Sequence, residues 1–164
     1  MAPYRSPVRA AARAQWGDRS RFGRARMPTF RIPLDVEALG MQLRAEYRRA
    51  TGTISPIGHY VYAGMTQGEV SYIGITNDPA ARQFEHGDRH HIRVLNRHHP
   101  LTRIEVRAIE QFVIDLTRRS ARNQNIANSI AAHHPYFAAA RRFGQAFFDW
   151  IRREYRGCDL RLAL

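Results

Sequence analysis

Lysine is absent from this sequence of 164 residues, so arginine supplies all 26 basic side chains against 14 acidic ones. A GC-rich coding sequence explains the choice of arginine over lysine, but it does not explain the excess of base over acid. The resulting formal net charge of +12 favours a polyanionic partner. Nucleic acid is the first choice for that partner, ahead of an anionic membrane surface.

Cysteine is almost absent as well, since Cys158 stands alone. A single cysteine excludes an intramolecular disulfide and argues against a cysteine-based metal site, so the fold does not need an oxidising compartment. No run approaches the roughly 20 apolar residues of a membrane span, and no N-terminal apolar block indicates a secretory signal. We therefore expect a protein that acts in a cytoplasm and does not enter membranes.

Residues 1–33 hold eight arginines against one acidic residue, Asp18, and four prolines interrupt them. This composition predicts an Arg-rich arm that is flexible when alone. Two other interpretations stay open at this point. One is an organelle transit peptide, although the segment lacks the usual serine enrichment, and the other is part of the linker of a longer parent protein.

Periodicity and capping residues predict five helices in the rest of the chain. They cover residues 34–50, 79–86, 103–119, 125–132 and 136–155. Asp78 caps the second helix and Pro79 opens it, while Thr102 caps the third. The aromatic last helix predicts core packing or a lid on the domain. Its Arg141, Arg142, Arg152 and Arg153 form either a solvated face, a phosphate-tracking ridge or a contact with a partner protein.

Two β-rich runs, residues 59–63 and 70–75, flank a short polar loop with two glycines and predict a hairpin. Residues 91–96 predict a third strand. The expected fold class is α+β, with a small three-stranded sheet, mixed or antiparallel, flanked by helices. We expect a helix and loop over 34–56, a core over 57–137 and a C-terminal helical extension over 138–164 packed on that core.

Six polar residues beside this sheet carry chemistry suited to phosphodiester hydrolysis. They are Tyr60, Tyr72, Arg82, His86, Glu110 and Asn125. Such a reaction needs a base that activates water, a cation that binds the phosphate oxygens and a group that stabilises the leaving oxygen. One carboxylate on a helix can bind Mg²⁺, whose other ligands are water and phosphate. An arginine can bind the phosphate through two parallel hydrogen bonds. A tyrosine near both cations can lose its proton more easily than in water.

The spacing of these residues resembles that of the GIY-YIG nucleases. Gly58-His59-Tyr60 stands at the first triplet and Tyr72-Ile73-Gly74 is the second triplet unchanged. The run from there through Arg82 to His86 is similar to the family's stretch from second triplet to catalytic arginine. Glu110 matches the metal-binding glutamate and Asn125 the late asparagine. The segment around Asn125, with the histidines before Pro135, also resembles nuclease domains of bacterial polymorphic toxins.

This resemblance spans roughly residues 57–137 and implies a role for each matched residue. Tyr60 would be the general base, Tyr72 would orient the nucleophile or the phosphate, and Arg82 would stabilise developing charge. Glu110 would bind Mg²⁺, for which Mn²⁺ can substitute. Asn125 would hold the site by hydrogen bonds, and His86 would assist the phosphate or the leaving group.

Two departures from the family pattern bear on the first tyrosine. His59 replaces an apolar residue in the first triplet. Tyr62 lies two positions after Tyr60 and so projects from the same strand face, which makes it the alternative catalytic tyrosine. Tyr60 is favoured because it follows Gly58.

The expected function is a Mg²⁺-dependent endonuclease acting on DNA, as an antibacterial toxin in the cytoplasm of a target cell. The resemblance to toxin domains also implies a cognate immunity protein as a partner. The arginines expected to contact the phosphate backbone are Arg89, Arg93, Arg97, Arg103 and Arg107. The alternatives are an RNase toxin acting on tRNA, a nucleic-acid-binding module without catalysis, and a repair or mobile-element nuclease.

Each candidate residue also has a purely structural interpretation. The tyrosines suit cross-strand packing, Arg82 and Glu110 suit a solvated helix face, and Asn125 suits a helix cap. The neighbouring histidines His86, His90 and His91 make a zinc site conceivable. Neither a cysteine nor a regular pair of ligand dyads supports zinc, so the histidines are expected to add positive charge below about pH 6.5.

Overall fold

The computed structural model describes residues 31–67, 69–118 and 127–154. This part is α+β, with four helices and one antiparallel sheet of four strands. The elements in chain order are α1 (Leu34–Thr51), β1 (Ile57–Thr66), β2 (Glu69–Thr76), α2 (Pro79–His86), β3 (His91–Val94), β4 (Leu101–Thr102), α3 (Arg103–Thr117) and α4 (Phe137–Glu154). The fold class is therefore confirmed, and most of the predicted arm, residues 1–30, lies outside the described residues.

Strand β1 is the centre of the sheet, because it pairs with all three other strands and always in antiparallel fashion. Tyr62 stands opposite Gly74 of β2 on one side and opposite Val94 of β3 on the other. The start of β1 pairs with β4, where Ile57 faces Thr102. The prediction of three strands was one short, because a strand of two residues leaves no periodic signal in a sequence.

The two faces of the sheet have different partners. Side chains alternate along a strand, so Val61 and Ala63 face one way and Tyr62 the other. Val61, Ala63 and Ile73 belong to the main hydrophobic core, which also contains apolar residues of α1, α3 and α4. Tyr62 instead meets side chains of α2 through hydrogen bonds. The sheet is thus covered by α3 on its core face and by α2 on its other face.

Local capping explains where α2 and α3 begin. The Asp78 carboxylate accepts hydrogen bonds from the backbone nitrogens of Ala80 and Ala81, at 3.1 and 3.0 Å, and Pro79 is the first helical residue. Thr102 and Glu105 form a reciprocal capping box at the start of α3. Both predicted helix starts are confirmed.

Helix α4 packs closely on α3. Phe143, Phe147 and Trp150 are fully buried, which confirms the expectation of core packing. Gly144 permits the close approach, since a Cβ there would lie 2.4 Å from the carbonyl oxygen of Ala108. In the described part of the chain, no helix is long and apolar enough to cross a membrane.

The short helix predicted for residues 125–132 is wrong where it can be examined, because residues 127–136 form bends and turns. The backbone nitrogen of Ile130 donates to the side chain of Gln111 on α3, at 3.0 Å, instead of bonding within a helix. Ser129 likewise bonds to side chains of α3. These tertiary hydrogen bonds hold the segment in an irregular path.

Candidate active site

The phenol of Tyr62 lies at the centre of a hydrogen-bonded group on the α2 face of the sheet. Its oxygen accepts a hydrogen bond from Nε of Arg82 at 2.9 Å and lies 3.1 Å from Nε2 of His86. Tyr62 is completely buried by its neighbours. Of the two candidate tyrosines, Tyr62 is therefore the one that contacts Arg82 and His86.

Tyr60 is half-buried nearer the start of β1, opposite Thr76. The glycine that favoured it has another explanation. Gly58 has a φ of 100°, and the pairing between β1 and β4 shifts register there, between Ile57 and His59. A bulge with positive φ needs glycine for backbone reasons. Gly58 therefore marks a bend in the strand and does not identify the neighbouring tyrosine as catalytic.

Gly74, the glycine of the intact Tyr-Ile-Gly triplet, creates the space that the phenol of Tyr62 occupies. A Cβ at position 74 would lie 2.5 Å from the Tyr62 hydroxyl oxygen and 2.8 Å from the ring of Tyr72. Distances this short cannot be accommodated without moving both rings. The register that places Gly74 opposite Tyr62 therefore explains why this triplet ends in glycine.

Four rings pack against one another around this position. The ring of Tyr72 lies 6.1 Å from that of Tyr62 and 5.9 Å from that of His86, measured between centroids. His90 joins them, stacked 6.3 Å from Tyr72 and edge-on 5.4 Å from His86. Nδ1 of His90 lies 3.0 Å from the hydroxyl of Thr66. His90 was not among the predicted site residues, and its spacing of four residues from His86 was the available signal.

The electrostatics of this group fix where its protons reside. Burial raises the pKa of Tyr62 to about 12, although the hydrogen bond from Arg82 opposes that rise. The pKa of His86 is lowered, first by burial and then by the positive charge of Arg82. At neutral pH the phenol is therefore protonated and the imidazole is neutral. Because Arg82 donates to the phenol oxygen and the imidazole is neutral, the phenol can donate its proton to Nε2 of His86.

Glu110 lies in a second polar cluster, on α3. Its carboxylate accepts a hydrogen bond from the hydroxyl of Ser129. Burial raises the pKa of Glu110, while the Ser129 hydroxyl and the positive charge of Arg107 oppose the rise. The guanidinium of Arg107 in turn donates to the backbone carbonyl of Ser129.

The structure thus brings four of the predicted residues together and places Glu110 apart from them. Tyr62, Tyr72, Arg82 and His86 share the α2 face of the sheet. Glu110 lies on the helix that packs against the core face, and within the described ranges no hydrogen bond joins it to the tyrosine cluster. The predicted Asn125 lies outside the described residues.

The donor set at Glu110 fits a hydrated divalent cation better than a fully coordinated one. The residues that the structure describes contain no group of three or more His, Cys, Asp or Glu side chains able to hold a metal. Mg²⁺ keeps several waters and takes few protein ligands, so one carboxylate suffices. One ring nitrogen of each neighbouring histidine is engaged within the protein, since Nε2 of His86 bonds Tyr62 and Nδ1 of His90 bonds Thr66.

The arginines expected to contact phosphate divide into two groups. Four are exposed: Arg89, Arg93, Arg97 and Arg103. Arg107 is half-buried, and its guanidinium is directed to Ser129. The first four can meet a polyanion directly, whereas Arg107 belongs to the internal structure around Glu110.

Comparison with known proteins adds no assignment. No protein-family model matches the chain, and neither a curated protein nor a solved structure matches it. The function therefore has to be inferred from the residues of this molecule and their contacts.

Proposed function

We propose that this protein is a Mg²⁺-dependent endonuclease that hydrolyses phosphodiester bonds of DNA. The observation that carries the proposal is the hydrogen-bonded group of Tyr62, Arg82 and His86 beside the Tyr-Ile-Gly strand. A purely structural tyrosine in a sheet has no need of a guanidinium and a neutral imidazole on the same oxygen. The group combines an anion-binding side chain with a route for a proton, which phosphodiester hydrolysis requires.

Each residue has a role that follows from its contacts. Nε of Arg82 donates to the phenol and Nη1 donates to Glu85, so it is Nη2 that would hold phosphate oxygens and developing negative charge. Tyr62 keeps its own proton at neutral pH, so it would act as a base only while passing that proton to Nε2 of His86. Glu110, which lies apart from this group on α3, would hold Mg²⁺, and the ion would supply positive charge and acidify water.

The surface charge supports a nucleic-acid substrate. The chain has a formal net charge of +12, and Arg89, Arg93, Arg97 and Arg103 are exposed near the ends of α2, β3 and α3. Such a surface attracts the phosphate backbone without regard to base sequence. We further propose that the enzyme is an antibacterial toxin, active in the cytoplasm of a target cell and neutralised by an immunity protein.

A cleavage assay tests the activity. Supercoiled plasmid and total tRNA are each incubated with the protein in Mg²⁺ or in EDTA. We expect nicking of the plasmid in Mg²⁺ only. Cleavage of tRNA with the plasmid left intact would keep the chemistry and replace DNA by RNA as substrate. Binding of both that weakens with salt, without strand breaks, would replace the enzyme by a binding module.

A pair of tyrosine variants tests the assignment within the site. Tyr62→Phe removes the hydroxyl that Arg82 and His86 contact, and we expect a loss of about 100-fold or more in cleavage rate. Tyr60→Phe removes a hydroxyl from the same strand and the same face, so it is the matched control. The assignment is wrong if Tyr60→Phe abolishes cleavage and Tyr62→Phe does not.

A further inference from the structure

We infer that Ser129 is a positioning residue that aims the carboxylate of Glu110 at a divalent cation. This inference rests on the proposed function, because it concerns the metal-binding residue of that reaction. It assigns a specific task to the irregular segment of residues 127–136, for which no sequence motif gave a role.

The geometry around Ser129 immobilises the residue from two sides. Its hydroxyl donates to Oε2 of Glu110, while the guanidinium of Arg107 contacts the same hydroxyl oxygen at 3.4 Å. The Arg107 guanidinium also donates to the Ser129 carbonyl oxygen. Backbone and side chain of Ser129 are therefore both held by α3, so the hydroxyl cannot turn away from Glu110 without breaking other contacts.

The residues beside Ser129 are attached to the same helix. Gln111 is almost fully buried, and its side-chain oxygen accepts from the backbone nitrogen of Ile130 at 3.0 Å. Its amide nitrogen lies 3.4 Å from the side-chain oxygen of Asn128 and donates to Asp115 at 2.9 Å. Three successive residues of the segment are thus bonded to three residues of α3, with Glu110 among them.

This arrangement leaves one oxygen of the carboxylate for a cation. Oε2 is occupied by the Ser129 hydroxyl, and Oε1 accepts no hydrogen bond from the residues that the structure describes. A glutamate has three rotatable side-chain bonds, so an unrestrained carboxylate samples many orientations. Fixing one oxygen removes most of that freedom before the cation binds. Outer residues that orient a metal ligand typically contribute about 10-fold to metal affinity.

Binding of Mn²⁺ tests the inference apart from cleavage. Free Mn²⁺ is measured by electron paramagnetic resonance while the intact protein is titrated with Mn²⁺, and thermal unfolding is followed on the same samples. Ser129→Val and Ser129→Thr form an isosteric pair that differs in the hydroxyl. We expect Ser129→Val to raise the Kd for Mn²⁺ by about 10-fold and Ser129→Thr to restore it to near the wild-type value.

The matched control is Ser55→Ala. Ser55 is also buried and also bonds to α3, where its hydroxyl accepts from the backbone nitrogen of Ile104 at 2.8 Å, well before Glu110 in the helix. We expect this variant to lose stability and keep its Mn²⁺ affinity. If Ser129→Val binds Mn²⁺ as tightly as wild type, or loses affinity only in proportion to its stability as Ser55→Ala does, the inference is overturned.

Glu110→Gln separates this inference from the proposed function. We expect it to lose the Mn²⁺ site that the serine pair modulates. If wild type and Glu110→Gln bind Mn²⁺ alike, Glu110 is not the ligand and the proposed role of Ser129 is wrong. Plasmid cleavage in the same wild-type preparation then decides the other question: metal-dependent nicking would keep the nuclease with another ligand, and no cleavage would end both proposals.

Discussion

Glu105 and Glu110 lie on the same helix, α3, but their carboxylates meet very different surroundings. Glu105 is almost fully buried, and one of its oxygens accepts from both the backbone nitrogen and the hydroxyl of Thr102, at 2.8 and 2.6 Å. Its other oxygen forms an ion pair with Arg44 of α1. Every part of this carboxylate is used within the protein, and it joins α1 to the start of α3.

The Glu110 carboxylate has fewer bonding partners than that of Glu105. It accepts a hydrogen bond from Ser129, and its nearest positive charge, Arg107, is directed to the Ser129 carbonyl. The pKa of Glu110 is raised because burial outweighs these two stabilising neighbours. A carboxylate that is buried without enough hydrogen bonds and positive charge around it often has a functional role beyond stabilising the fold. The comparison teaches that two carboxylates withdrawn from solvent on one helix can differ sharply in the number and charge of their partners.

The largest expected effect would distinguish the two glutamates by activity. We expect Glu110→Gln to lower the plasmid-cleavage rate by about 1,000-fold, because a bound cation contributes several kcal/mol to the transition state. Glu105→Gln should keep the wild-type rate per folded molecule. The reverse result, with Glu110→Gln active and Glu105→Gln folded but inactive, would exchange their roles.

The second effect concerns stability. Glu105→Ala removes the ion pair with the partly exposed Arg44 and the buried capping interaction with Thr102. We expect the free energy of unfolding, measured in urea, to fall by about 3 kcal/mol. A loss below about 1 kcal/mol would show that the carboxylate is not a structural centre and would weaken the contrast with Glu110.

A smaller loss is expected when the partner of Glu105 is removed. Arg44→Met keeps much of the arginine's apolar length but leaves the buried carboxylate with Thr102 alone. Since Thr102 still donates two hydrogen bonds, we expect a loss of about 2 kcal/mol in urea unfolding. Arg48→Met, at an exposed position on the same helix, is the matched control and should change stability by less than about 0.5 kcal/mol. Equal effects of both variants would mean that the ion pair contributes nothing specific.

The smallest expected effect is a gain in the free energy of unfolding. Burial holds the pKa of Glu110 above its ordinary value, so the folded state binds that proton more tightly than the unfolded chain. The stability from this proton is present below the ordinary glutamate pKa and is lost as pH rises through the raised value. In EDTA, we expect Glu110→Gln to be about 1 kcal/mol more stable than wild type near neutral pH. The gain should vanish near pH 4, and an unchanged gain there would point to packing instead of charge.

How far the sequence predicts the fold depends on how local each determinant is. The starts of α2 and α3 were predictable because Asp78, Pro79 and Thr102 act on backbone groups within three residues of themselves. The hairpin was predictable from its glycine-containing loop. Strand β4 was not, because its two residues are held by pairing with β1 and not by any periodicity of their own.

The site was predictable in its residue types but not in its arrangement. Tyr60 and Tyr62 project from the same face of β1, so alternation cannot choose between them. The choice is made by the register that puts Gly74 opposite Tyr62 and by the position of Arg82 on α2, and both are tertiary facts. Ser129 carried no signal, since its partner Glu110 is on a different element and the intervening spacing follows no motif.

The neighbourhood of α1 and α4 has a consequence for the order of folding. These are the first and last helices of the described chain, and they touch, since a Cβ on Gly40 would lie 3.1 Å from the ring of Phe143. The ring of Tyr47 also lies 5.3 Å from that of Tyr136, the residue just before α4. Contacts between residues so distant in sequence form late and slow the search for the native state. Because a ribosome adds only about 5–20 residues per second, α1 waits several seconds for its partner during synthesis. The domain therefore completes its core, and with it the setting of Glu105 and Glu110, only after α4 has been made.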